Sequence, residues 1–171
     1  SATVDESDEE CTDEGSTEEM TDGEIQMPME TEGSEEAESV MLSHQFCLAL
    51  RELKNLMEYA GDHTYAQFLE EEYKKMKCSI NQAAWNGNWY ARALSRKGDI
   101  GTKDSKGSKI YLNAQTWAVL ADVADDEKLP ELLRSVDEME RDFGFPLNDP
   151  PYQIYDAHVG RMSGMLPGLF E

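Results

Sequence analysis

All three tryptophans of the chain, Trp85, Trp89 and Trp117, fall in two short segments, AAWNGNWYARAL at 83–94 and IYLNAQTWAVLA at 110–121. Tyr90, Arg92, Tyr111, Asn113 and Gln115 are interleaved with them. Flat aromatic faces beside amides and an arginine suit a sugar ring, which offers apolar C–H faces and a rim of hydroxyls. The same residues also suit a set of core anchors, since large aromatics are highly buried on average. The histidines His44, His63 and His158 and the cysteines Cys11, Cys47 and Cys78 are scattered, with neither a zinc spacing nor a disulfide framework, so no metal site is expected and these six read as structural or incidental.

Helices must position the two aromatic segments. From Ser34, Val40, Met41, Phe46, Cys47, Leu50, Leu53, Leu56 and Met57 recur at three- and four-residue spacing until Gly61, which predicts a helix with a glycine stop. Asp62 can cap a second helix with Tyr65, Phe68, Leu69, Tyr73, Met76 and Ile80 on one face and Glu/Lys on the other, including the pairs Glu70–Lys74 and Glu71–Lys75. The two form an antiparallel hairpin. Asn86-Gly87 reads as a tight turn, and Trp89–Leu94 with Lys109–Leu112 as two short strands of a β-ribbon flanking the loop SRKGDIGTKDSKGS. Asn113 can cap a third helix, and a fourth runs from about Pro130 to Gly144. The remainder, rich in proline and glycine, is an ordered loop of the kind that often carries function.

Charge divides the chain. Of the net −21, the first 40 residues hold 16 Asp and Glu with no Lys or Arg, which leaves 20 acids against 15 bases in the other 131. Residues 1–33 have few bulky aliphatics and repel themselves, so an acidic disordered tail is expected there, with the domain at 34–171. The absence of a basic patch argues against nucleic acid as a ligand. No apolar run approaches a membrane span and the first residues lack a signal-peptide pattern, so a cytoplasmic protein is expected.

The segments ESVMLSHQFCLALRELKNLMEYAGD, AWNGNWYARAL, IYLNAQTWAVLADVADDE, SVDEMERDFG and DPPYQIYDAHVGRMSGMLPGLFE, in this order, resemble the inverting disaccharide phosphorylases of glycoside hydrolase family 94, which include cellobiose and chitobiose phosphorylases. The resemblance covers roughly 34–171 and implies a mainly α fold, part of an (α/α)6 toroid with a small β-ribbon insertion. It implies phosphorolysis of a β-linked disaccharide to an α-sugar 1-phosphate with inversion, with inorganic phosphate as co-substrate and no other cofactor. A homodimer is a form the family admits.

The family's general acid is an aspartate in an Asp-Trp-Asn-Asp segment ahead of the Glu-Ser-Val helix, and nothing of that form precedes Glu38-Ser39-Val40. Asp5, Asp8, Asp13 and Asp22 lack that context, so no catalytic residue is nominated. The family's phosphate-holding histidine and threonine belong to segments beyond PGLFE, so the chain is expected to be a fragment, inactive alone and with exposed apolar faces. By the resemblance, Glu171 matches the glutamate of Pro-Gly-x-x-Glu that binds hydroxyls of the acceptor sugar. Arg161 and Tyr152 fall on the acceptor side, Arg161 alternatively bracing its loop through a carboxylate such as Asp156. Gln115 and Trp117 are candidate cleft-lining residues, Trp117 fitting a core position as well. The alternative function is a non-catalytic carbohydrate- or protein-binding module with an acidic interaction tail.

Overall fold

The computed structural model describes residues 37–160 and 163, so the acidic run at 1–33 lies outside the described residues. In chain order the elements are β1 (Ala37–Ser39), α1 (Val40–Ala60), α2 (His63–Ala83), β2 (Ala93–Ser95), β3 (Ile110–Tyr111), α3 (Leu112–Leu120), α4 (Leu129–Asp137) and β4 (Asn148–Asp149). The fold is mainly helical, as the periodicity predicts. No helix among the described residues is long and apolar enough to cross a membrane.

Gly61 and Asp62 make the hairpin. Gly61 adopts φ 83°, a left-handed conformation that terminates α1 at little cost only for glycine, and its N–H returns to Glu58 O at 3.1 Å. One residue later the Asp62 carboxylate accepts from Tyr65 N–H at 3.0 Å and starts α2. Cys47 and Leu50 of α1 and Leu69, Tyr73 and Ile80 of α2 belong to one apolar cluster with Tyr90, Ala118 and Leu132. Each large apolar side chain so enclosed contributes roughly 1.5–3 kcal/mol. The outer surface differs from the expected pattern: Tyr65 and Phe68 stack on each other at 5.7 Å and stay exposed, and Lys75 pairs with Glu72 at 2.9 Å while Glu71 accepts from Gln67. Lys54 bridges the helices to Glu70 at 2.6 Å, and Lys74 stands 4.0 Å from the same carboxylate.

The strands pair otherwise than the sequence predicts. Instead of one ribbon between 89–94 and 109–112, β2 pairs antiparallel with β1 (Ala37↔Ser95, Glu38↔Leu94, Ser39↔Ala93) and β3 with β4 (Ile110↔Asp149, Tyr111↔Asn148). Residues 37–39 are therefore strand, and α1 begins only at Val40. The helical spacing carries no information about an edge that arrives from 93–95, and this edge captures the backbone before the helix starts. Arg92 Nη1 donates to Ser39 Oγ at 2.8 Å, and Val40 N–H donates to Arg92 O at 3.2 Å. The expected turn at Asn86-Gly87 is present, with Gly87 at φ 96° and Asn86 N–H donating to Trp89 O.

α3 starts one residue before Asn113, whose side chain does not cap it. Tyr111, held extended by β4, is the N-cap, and Asn113 lies in the first turn with its Oδ1 buried and unpartnered. α4 ends at Asp137, short of the predicted Gly144, because Arg141 and Gly144 close a tight turn through two backbone bonds of 3.0 and 2.9 Å. Arg141 then reaches Asp149 of β4 at 2.7 Å. Tyr73 ties α2 to the end of α3, its hydroxyl donating to the Asp122 carbonyl at 2.6 Å.

Candidate functional site

The aromatic segments divide by role. Trp85 meets Tyr90 edge-on at 5.1 Å and packs on the core, while Trp89 gives its indole N–H to two carbonyls, Gly101 at 3.0 Å and Lys109 at 2.9 Å. Trp117, half-buried on α3, has no ring contact with either among the described residues. The three tryptophans thus form no common platform. Tyr90 is fully buried, and its hydroxyl donates to Asn81 Oδ1 at 2.7 Å.

Gln115 is enclosed, with 0% exposure. Its Oε1 accepts from Tyr90 N–H, and its Nε2 donates to the carbonyls of Tyr90 and Tyr111, at 2.8, 2.8 and 3.0 Å. The amide joins the two aromatic segments to each other. Tyr152 is buried too, its hydroxyl 2.7 Å from that of Tyr111, and a Cβ added at Gly107 would overlap its ring. Burial and the neighbouring Tyr152 hydroxyl push the Tyr111 phenol well above its ordinary range, so the Tyr111 hydroxyl stays protonated. Arg161 and Glu171 lie outside the described residues.

Above Tyr152 opens a cleft of about 350 Å³ between the 97–107 loop and the 152–159 segment. Asp99, Asp104, Lys106, Asp156 and His158 line it. The loop is held firmly. Besides the bond from Trp89 to Gly101, Arg92 N–H donates to Ile100 O at 2.7 Å, and Ser105 Oγ accepts from the N–H groups of Gly101 and Thr102 at 3.1 and 3.0 Å. At Gly101 (φ 79°) a Cβ would lie 2.8 Å from Arg92 N, so the loop approaches the β2 edge as closely as its backbone allows. Across the cleft, His158 Nε2 lies 2.9 Å from Gly98 O, and Asp156 Oδ1 accepts from His158 N–H at 2.9 Å. Ser163 closes that turn, accepting from Asp156 N–H at 2.7 Å. In the sequence alone His158 reads as structural or incidental, and the loop carries no assigned role. The available signal was the alternation of Lys, Asp and Gly in that loop.

Residues 13–171 match the family described as the glycosyl hydrolase 94 superfamily, catalytic domain. The chain belongs to this family. The matched span begins inside the acidic run. Among relatives of the family, the solabiose phosphorylase of Paenibacillus borealis is 35% identical over 137 residues, 78% of this chain and 18% of that protein. The 3-O-beta-D-glucopyranosyl-beta-D-glucuronide phosphorylase of the same organism is 29% identical over 154 residues, 89% of this chain and 20% of that protein. The N,N'-diacetylchitobiose phosphorylase of Vibrio proteolyticus is 28% identical over 138 residues, 78% of this chain and 17% of that protein. The chain thus spans at most 20% of the length of these glycosyl hydrolase 94 relatives.

Proposed function

We propose that this chain forms part of the catalytic toroid of an inverting phosphorylase that cleaves a β-linked disaccharide with inorganic phosphate. In that reaction a phosphate oxygen forms a bond to the anomeric carbon from one face while the glycosidic C–O bond breaks on the other. A carboxylic acid protonates the leaving oxygen, and the products are an α-sugar 1-phosphate and a free sugar. Phosphate takes the place of the base-activated water of an inverting hydrolase, so one catalytic carboxylate suffices. No residue of this chain is assigned that acid.

The observation that carries the reading is the family match over 13–171 together with three relatives that are all named phosphorylases. Within it, Glu171 is the residue that accepts hydrogen bonds from the acceptor sugar's hydroxyls, with Arg161 beside it. Tyr152 contributes its ring and the placing of the segment, because its hydroxyl is taken up by Tyr111. Gln115 acts as a positioning residue through the backbone of Tyr90 and Tyr111, and Trp117 as a flank of α3.

The test is release of sugar 1-phosphate from cellobiose or chitobiose with phosphate, by the 171-residue chain and by the full gene product. The chain alone is expected to release none, and appreciable turnover by it would overthrow the fragment reading. An inert full gene product toward a panel of β-linked disaccharides would overthrow the phosphorylase reading.

A further inference from the structure

Several polar side chains of the cleft keep hydrogen-bonding capacity among the described residues. Asp99 Oδ1 accepts from Ser95 N–H at 3.1 Å and Asp156 Oδ1 from His158 N–H, so among the described residues each carboxylate has its second oxygen left over. Asp104 and Lys106 have no hydrogen bond or ion pair within the described residues. His158 faces a carbonyl, which has no proton to give, so Nε2 must carry the hydrogen. The neutral ring then keeps its lone pair on Nδ1.

Charge and volume decide the ligand class. Asp99, Asp104 and Asp156 stand against Lys97 and Lys106, so carboxylates outnumber ammonium groups among the described lining residues. Phosphate or a sugar acid requires an excess of cationic donors, which this arrangement lacks. Hydroxyl groups donate and accept at once and can meet carboxylate, ammonium and imidazole together. A volume of about 350 Å³ lies at the low end of the range for small-molecule sites, which suits one ring better than a longer chain. The loop backbone is fixed by Trp89, Arg92 and Ser105, so its course is set before a ligand arrives.

We propose that this cleft binds a neutral sugar ring, with Asp104 and the second oxygen of Asp99 accepting from its hydroxyls, Lys106 donating, and His158 accepting at Nδ1. The proposal rests on the phosphorylase reading only for the premise that the substrate is a sugar.

Amide shifts of the ¹⁵N-labelled protein test it during titration with glucose, N-acetylglucosamine, glucuronate and inorganic phosphate. A neutral sugar is expected to move amides of 97–107 and 152–159, and Asp104→Asn and His158→Ala each to weaken that binding about ten-fold. Asp104→Asn removes charge without changing shape, so it remains informative even if His158→Ala loosens the loop. Unmoved amides with both neutral sugars, a preference for glucuronate or phosphate, or wild-type affinity in Asp104→Asn would each overturn the proposal. Titration reads occupancy without turnover. A full gene product inert toward disaccharide and phosphate therefore sinks the phosphorylase reading and leaves the cleft to be decided by the shifts.

Discussion

Gln115 holds the backbone of Tyr90 from both sides, accepting from its N–H and donating to its carbonyl at 2.8 Å each. This pair joins α3 to the segment that follows α2, and through Tyr111 and Tyr152 it reaches the floor of the cleft. Replacing Gln115 by Leu strands a buried N–H and a buried carbonyl, each costing about 1–3 kcal/mol. The expected outcome is a loss of roughly 3 kcal/mol in unfolding free energy, seen as a lower urea midpoint at unchanged m-value. A midpoint within experimental error of wild type would show that the clamp is not structural.

His44 makes acid stability the second measurement. It is fully buried against Tyr90 at 5.0 Å with neither ring nitrogen hydrogen-bonded. Burial lowers its pKa from 6.5 to about 4, with the Ala114 backbone acting in the other direction. The unfolded chain therefore takes up a proton below its ordinary value while the folded chain resists until about 4. Stability attributable to His44 is full above pH 6.5 and falls progressively toward pH 4, by about 3 kcal/mol in all. His44→Leu should flatten that part of the pH–stability curve. An unaltered curve would remove His44 as the cause.

Gly107 and Tyr152 should behave as a coupled pair. Gly107→Ala drives a methyl group into the Tyr152 ring, an overpacking that typically costs 1–3 kcal/mol. In a Tyr152→Ala background the same change should cost almost nothing, so a double-mutant cycle is expected to show strong coupling. Additive effects would mean that the loop yields instead.

The outer face of α1 is apolar. Leu42, Phe46, Leu53 and Leu56 recur along it at 60, 49, 36 and 55% exposure, and Phe68 of α2 is exposed at 49%. A contiguous apolar stripe of this kind favours association. Sedimentation velocity should show concentration-dependent self-association of the chain, reduced by Phe46→Lys with Leu53→Lys, while the unfolding free energy changes by only about 0.5 kcal/mol. A chain that remains monomeric at every concentration would contradict this.

Helix periodicity made much of the fold legible. The α1–α2 hairpin, its left-handed glycine stop and its aspartate cap follow from local spacing, because capping and amphipathicity act within a few residues. Strand pairing did not follow. Two- and three-residue strands carry almost no periodicity of their own, so the partners of β2 and β3 were set by the segments that α1 and the 141–149 turn bring to them. Asn113 lost its capping role for the same reason, since β4 fixes Tyr111 as the N-cap.

The sequence by itself determined the helices, the charge division and the family, all of which reside in residue order. Only tertiary structure decided which polar groups are used up and which remain available. Gln115 resembles a cleft residue until three backbone bonds enclose it, and His158 looks incidental until Gly98 fixes which nitrogen carries its proton. Hydrogen-bond satisfaction is a property of neighbours in space, and segments about 25 and 60 residues apart meet only after the chain has folded.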